Sequence, residues 1–241
     1  MILVLHTQIG ERLPCRDWES VLEKMPGPVR TRIGRYLRWE DRQAVLFGKL
    51  LLAEGLKRLA YPAHLRDLVW DASGRPFLGG GPDFNISHSG GYVVCALCPE
   101  GRVGIDIEEL RPINVADFQE QMTTRQWEAI MVSERRAETF FRLWTQKEAV
   151  IKADGGGMAI PLDGIVMEGG KAFLGDAVWT VKEVPIADGY CCFLATNGDD
   201  PEMRSEEIPR PQGPLAGAPH RNGSILRDEI GVSDGTDPCH P

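Results

Sequence analysis

Two carboxylates spaced i and i+2 within an apolar run, in GIDIEEL at 104–110, constrain this chain more than any other feature. Asp106 and Glu108 alternate with Ile105 and Ile107, with Leu110 beyond. That is the period of a strand with apolar side chains on one face and carboxylates on the other. Some forty residues on, 144–157 reads WTQKEAVIKADGGG. Leu143, Trp144, Ala149, Val150 and Ile151 mark a helix there, and Glu148 and Lys152, four residues apart, share one of its faces. Like charges repel, so three converging carboxylates make a poor structural motif. They suit a hard cation such as Mg²⁺, which takes oxygen ligands and is completed by phosphate and water. A lysine beside them suits a phosphorylated substrate.

Composition limits what can carry such a site. The 241 residues are 42% hydrophobic and 26% charged, which fits one large globular domain or two small ones. No apolar run approaches the roughly 20 residues that span a bilayer. The opening MILVLHTQIG lacks a basic n-region and a small-residue cleavage site, and reads as a first strand rather than a signal peptide. Six cysteines are scattered without a disulfide framework, so a reduced, cytoplasmic protein is expected. Cys95 and Cys98 form a CxxC inside an apolar strand with no second Cys/His pair nearby, which favours core packing over zinc or redox chemistry. A net charge of −8 speaks against general nucleic-acid binding, because phosphate contacts need a basic surface.

LPCRDWESVLEKMP predicts a short helix ended by Pro26 and Pro28. Leu37, Val45, Leu46, Leu50, Leu51 and Leu56 predict a longer one through Asp41–Ala60. Arg30, Arg32, Arg35, Arg38 and Arg42 lie just before and at its start, a basic concentration suited to phosphates or an acidic partner. LVWDASGRPFL reads as strand–turn–strand on Ser73-Gly74, and FNISHSGGYVVCALCPEG as a hairpin with Ser87, His88 and Ser89 between its strands. A helix from about Arg125 to the Trp144 region, broken near Ser133, follows, and Gly155-Gly156-Gly157 reads as a helix C-cap and turn. Strands resume in GIVMEGGKAFLG, AVWTVKEVP and YCCFLATN.

VLFGKLLLAEG at 45–55 resembles KEAVIKADG at 147–155, and GYVVCAL at 91–97 resembles GYCCFLA at 189–195. Both pairs are offset by about 100 residues, which suggests two related α+β halves. From about Gly198 the composition changes. Seven of the 17 prolines lie beyond it, and Asp199–Pro241 holds nine acidic residues against four basic, a net of −5. Such a stretch buries too little apolar surface to offset its ordering entropy, and it reads as a disordered tail.

In wording and order, SGRP, FNISHSG, GIDIE and WTQKEAVIK resemble the signatures of the 4′-phosphopantetheinyl transferases of the larger, surfactin-synthetase-activating type (Sfp-type). Those are a GKP/GRP turn, an (F)N(I/L)SHS segment, a (V/I)GxDxE strand and a W/F-xx-KE-xxx-K helix. The resemblance covers roughly residues 1–197. It implies an α+β pseudodimer of two similar α/β lobes about a pseudo-twofold axis, with the active site in the cleft between them. Residues 1–100 would recognise coenzyme A, 101–197 would hold Mg²⁺ and the catalytic groups, and 198–241 would be the tail.

The resemblance implies transfer of the phosphopantetheine arm of coenzyme A to a serine of an apo acyl or peptidyl carrier protein, by a monomer, with adenosine 3′,5′-bisphosphate leaving. Asp106, Glu108 and Glu148 map to the Mg²⁺ ligands. Glu148 maps also to the group that takes the serine proton, directly or through water. Lys152 maps to phosphate stabilisation or management of the leaving-group proton. Arg42, Arg75, Ser87 and His88 map to coenzyme A recognition. In the family the segment after GxDxE borders the carrier-docking surface, which makes Phe118, Met122 and Trp127 candidate contacts, although core packing explains them better. Lys147 is expected to face away along the helix, without a role. Two other classes share parts of the pattern. A Mg²⁺-dependent nucleotide pyrophosphate hydrolase would use the same carboxylates without needing NISHS. A non-catalytic carrier-binding protein would not need Asp106, Glu108, Glu148 and Lys152 intact.

Overall fold

The apolar runs ILVLH, YVVCALC, VGIDI and YCCFLA are buried along nearly their whole length, so each must be covered on both faces. The computed structural model, which describes residues 1–211, covers them with two sheets and two long helices. In chain order the elements are β1 (Ile2–Gln8), α1 (Cys15–Leu22), α2 (Gly27–Ile33), α3 (Trp39–Arg58), β2 (Leu68–Trp70), β3 (Pro76–Leu78), β4 (Asp83–Ser89) and β5 (Tyr92–Cys98). There follow β6 (Val103–Glu109), α4 (Thr124–Val132), α5 (Arg136–Asp154), β7 (Val166–Glu168), β8 (Lys171–Leu174), β9 (Ala177–Glu183), β10 (Tyr190–Thr196) and β11 (Met203–Glu207). The fold is α+β. One sheet has the order β11-β1-β5-β4 and the other β6-β10-β9-β8-β7, with β2 and β3 as a separate ribbon.

Three apolar cores hold these layers. Helix α3 packs Leu46, Phe47 and Leu52 onto Leu3, Leu5, Val93 and Leu97 of the first sheet. Helix α5 packs Phe140, Val150 and Ala153 onto Phe193 and Ala195 of the second. The remaining strand faces meet between the sheets, where Ile2, Val4, Val94 and Ala96 join Ile105, Ile107, Cys192 and Leu194. Each such Leu, Ile, Val or Phe contributes roughly 1.5–3 kcal/mol by leaving water. The CxxC belongs to this packing: Cys95 and Cys98 are buried and free, and burial pushes the Cys95 thiol up to about 12.

Local signals explain the helix ends. A capping box opens α4, with Thr123 Oγ1 accepting from the Gln126 amide at 3.2 Å and Gln126 Oε1 accepting from the Thr123 amide at 2.9 Å. The chain turns extended at Ser133, as expected, but then runs as one helix, α5, through to Asp154. Gly155 ends it in the left-handed region, φ 89°, which only glycine adopts without strain.

Two expectations are corrected here. Ser87, His88 and Ser89 do not sit between strands; they are the last residues of β4, and Gly90 and Gly91 make the turn. The tail does not begin at 198. Met203–Glu207 forms β11, parallel to β1 in the register Ile2↔Met203 through His6↔Glu207. Ile208 packs on the first core, and the side chains of Glu206 and Arg210 bond to Arg58 and to the Glu11 carbonyl. Composition missed this strand because its stability comes from backbone pairing with a distant partner, not from its own apolar content. The remainder of the expected tail, 212–241, lies outside the described residues.

Candidate active site

The site begins with a missing side chain. On β6, Gly104, Asp106 and Glu108 share the face turned to α5. A Cβ at Gly104 would run into the carbonyl oxygen of Ala149 and the amide nitrogen of Ala153. Glycine on the strand and alanines on the helix therefore let the two backbones touch. That contact brings Asp106 and Glu108 beside the helix face bearing Glu148 and Lys152, so the four residues singled out in the sequence do come together.

Asp106 is 4% exposed. Its Oδ1 accepts from Lys152 Nζ at 2.5 Å and from Ser87 Oγ at 2.9 Å, and Lys152 also donates to Ser87 Oγ at 2.9 Å. Helix, strand and β4 are thus tied at one point. Its other oxygen, Oδ2, is buried without a hydrogen-bond partner. Burial pushes the Glu148 and Glu108 carboxyls above the ordinary carboxylate range, and the charge on Asp106 adds to both shifts. Ser89 Oγ, donating to Glu108 Oε2 at 2.8 Å, and Lys152 partly offset the shift at Glu108.

Among the described residues no three His, Cys, Asp or Glu side chains stand as a ready metal-holding group, and Lys152 rests on Asp106. The chemistry nonetheless fits a hard cation. All three ligand candidates offer oxygen, an orphaned carboxylate oxygen lies among them, and their mutual repulsion is what a cation would relieve.

Strand β4 explains the NISHS wording in a way sequence reasoning missed. β4 and β6 are edge strands of different sheets, and they are joined by side chains rather than by a backbone ladder. Asp83 Oδ2 accepts from the Val103 amide at 2.8 Å, Asn85 Oδ1 from the Ile105 amide at 3.0 Å, and Ser89 Oγ from the Glu109 amide at 3.1 Å. Every second β4 residue thus satisfies an edge amide or a carboxylate of β6. The period-two polar pattern of DFNISHS was visible in the sequence; its partner strand was not.

The residues mapped to coenzyme A recognition fall in different places. His88 is exposed at the rim of the groove between α3 and the sheet, where partial loss of solvent lowers its pKa and the Asp41 carboxylate opposes the shift. Arg42 donates from Nε to the Tyr36 carbonyl at 2.6 Å. Arg75 is turned inward: Nη2 meets both Asp83 carboxylate oxygens at 2.9 Å, and Nη1 bonds the Lys152 carbonyl. Ser87, as described, is held by Asp106 and Lys152. Phe118 lies tilted against Phe140 and edge-on to Trp144, while Met122 and Trp127 pack into the second core. Lys147, expected to face away, is fully buried, donating to the Gln121 carbonyl at 2.7 Å.

Comparisons with known proteins identify the family. Residues 102–172 match the 4′-phosphopantetheinyl transferase superfamily, and residues 14–100 match the 4′-phosphopantetheinyl transferase N-terminal family. The 4′-phosphopantetheinyl transferase gsp of Aneurinibacillus migulanus is 35% identical over 86% of this chain and 94% of its own length. A 4′-phosphopantetheinyl transferase of Bacillus subtilis is 30% identical over 80% of this chain and 85% of its own. The 4′-phosphopantetheinyl transferase Sfp of Bacillus subtilis (strain 168) is 31% identical over 56% of this chain, and the match spans 62% of that relative's length. With both halves of the signature on one strand–helix contact and relatives matched along most of their length, the chain belongs to the Sfp-type 4′-phosphopantetheinyl transferases.

Proposed function

We propose that this chain transfers the 4′-phosphopantetheine arm of coenzyme A to a serine of an apo acyl or peptidyl carrier protein, releasing adenosine 3′,5′-bisphosphate. The observation that carries this reading is the Asp106–Lys152–Ser87 knot with Glu108 and Glu148 around it. In such a transfer a serine oxygen attacks phosphorus and a pyrophosphate bond breaks, so a proton must leave and phosphate charge must be neutralised.

Asp106, Glu108 and Glu148 would hold Mg²⁺, whose charge neutralises phosphate oxygens when bound. Glu148, its basicity raised by burial and by Asp106, takes the serine proton directly or through water. Lys152 holds Asp106 and Ser87 in place and offers its one remaining proton to the phosphates. Coenzyme A lies on the side of Arg42 and His88. Arg75 and Ser87 support that side from behind, by fixing the α5 terminus and Asp106.

Two helix-on-sheet units, α3 on β1 and β5 and α5 on β6 and β10, support the view that residues 1–100 and 101–197 are related lobes of a pseudodimer with the cleft between them. The chain works as a cytoplasmic monomer in this reading. No helix among the described residues is long and apolar enough to cross a membrane. Labelled coenzyme A offered to a panel of apo carriers tests the whole. Label should appear on at least one carrier, and adenosine 3′,5′-bisphosphate only when a carrier is present. Release into water alone would replace the reading with pyrophosphate hydrolysis, and carrier binding without labelling would leave a non-catalytic partner.

A further inference from the structure

A cavity of about 680 Å³ opens where the end of α1 and the turn into α2 meet the last turns of α3. Its floor is apolar, with Met25 and Leu56 buried and Tyr61 half-buried, and Lys24, Lys57 and Arg66 stand exposed on its rim. Among the described residues no carboxylate lines it. The Lys24 and Lys57 ammonium groups make no hydrogen bond or ion pair among those residues, and Arg66 reaches only its neighbour Asp67, at 3.9 Å. The proposed reaction uses none of these side chains. An apolar floor under a rim of free cations fits an acidic segment that carries aliphatic side chains.

The chain itself contains such a segment. Residues 212–241 hold five Ile, Leu and Val residues, and four of them, Ile225, Leu226, Ile230 and Val232, fall within eight positions. The run ILRDEIGVSD at 225–234 sets Asp228, Glu229 and Asp234 against Arg227. The chain also sets out toward it from a suitable place. The Glu11 carbonyl accepts from both Arg210 and Gln43, so Pro211 leaves beside Gln43 of α3. Leu56 lies thirteen residues further along that helix, or about 20 Å at 1.5 Å per residue. Fourteen residues lead from Pro211 to Ile225, and a coil of that length spans about 20 Å on average. Matched reach gives a tethered segment an effective concentration on the order of millimolar, far above that of a free partner. We infer that residues 225–232 dock in this cavity of their own chain, their aliphatic side chains on Met25, Leu56 and Tyr61 and their carboxylates against the basic rim. The docked segment covers the apolar floor and neutralises the cations above it. This site stands apart from the proposed transfer reaction and does not depend on it.

Amide hydrogen exchange on the full chain reads this contact without coenzyme A or carrier. Corrected for sequence, amides of 225–232 should exchange at least about tenfold more slowly than those of 234–241. Leu226→Asp together with Ile230→Asp should erase that protection and quicken exchange at Ala63–Arg66 on the cavity edge. Lys57→Glu, which leaves the apolar floor untouched, should weaken the protection about threefold, and raising salt to about 0.5 M should weaken it in the wild type. Equal exchange in 225–232 and 234–241 overturns the inference. So does protection that Lys57→Glu leaves unchanged while Ala63–Arg66 ignores the paired tail substitutions, because the segment then docks elsewhere. Protection that grows with protein concentration gives the cavity to the segment of a second copy and ends the intramolecular reading.

Discussion

The two helix-on-sheet halves solve the same packing problem in opposite ways. In the first, α3 gives up its own side chains. A Cβ at Gly48 would lie 2.7 Å from Ile86 Cγ2, and one at Gly55 would meet the Leu97 methyls. In the second, the strand gives up the side chain at Gly104, while α5 keeps every residue of the facing turn. The difference follows from what each helix presents. Helix α5 must bring Glu148 and Lys152 to the carboxylates of β6, so the close approach is made at the strand residue two places before Asp106. Helix α3 buries mostly apolar residues against the sheet and can spend two positions on glycine.

The largest effect expected is at the face that this approach builds. Asp106→Asn keeps an oxygen to accept from Ser87 and Lys152 but removes the charge, so carrier labelling should fall about 10³-fold at unchanged thermal stability. Labelling near the wild-type rate at saturating Mg²⁺ would remove Asp106 from the reaction. Next come the glycines. Gly104→Ala sets a methyl against α5 backbone, which cannot swing aside, and should cost about 3 kcal/mol or more. Gly48→Ala meets a side-chain methyl, Ile86 Cγ2, rather than backbone, and gains about 1 kcal/mol of helix propensity, so its net effect should be smaller. Equal losses in thermal midpoint for the two variants would break the comparison.

A third expectation concerns β11, which only the first sheet has as a parallel neighbour. Chain ended after Asn197 should lose the Met203–Glu207 ladder and the Ile208 contact and melt at lower temperature than chain ended after Pro211. Matching melting curves would show that the strand adds nothing.

The smallest effect is a pH dependence beside that strand. His6 on β1, paired in register with Glu207, is 6% exposed, its Nδ1 has no partner, and burial holds its pKa below the ordinary 6.5. The fold accepts the neutral ring, so this stability is whole above pH 6.5 and is lost as pH falls toward the depressed folded value. The gap between wild type and His6→Phe should therefore change between pH 7 and 5. Parallel melting profiles over that range would exclude His6 as the cause.

Much of the site was legible because it is written in short-range periods. The i, i+2 spacing put Asp106 and Glu108 on one strand face, and the i, i+4 spacing put Glu148 and Lys152 on one helix face. What joins them was harder to read. Ser87 and Ser89 were visible as polar residues, but their role depends on β6 lying edge to edge with β4, a placement that no local pattern states. Lys147 was misread because helical phase alone shows where a side chain starts, not that the segment after β6 folds over its end. β11 was missed for the opposite reason: prolines on either side dominate the composition, while its five residues depend on a partner some two hundred positions away.

That partnership has a consequence for how the protein comes into being. β1 leaves the ribosome some two hundred residues ahead of β11, and its seat in the sheet is completed on one side by β5 and on the other by β11. Until Met203–Glu207 emerges, the Ile2–His6 backbone has an open edge, and five of its side chains, ILVLH, are those of a strand with nothing solvated on either face. An open apolar edge invites pairing with another chain. During synthesis, then, a growing chain is most prone to associate with its neighbours in the interval before β11 arrives, and the charged residues Arg204, Glu206 and Glu207 end that interval by making the finished edge an unattractive one.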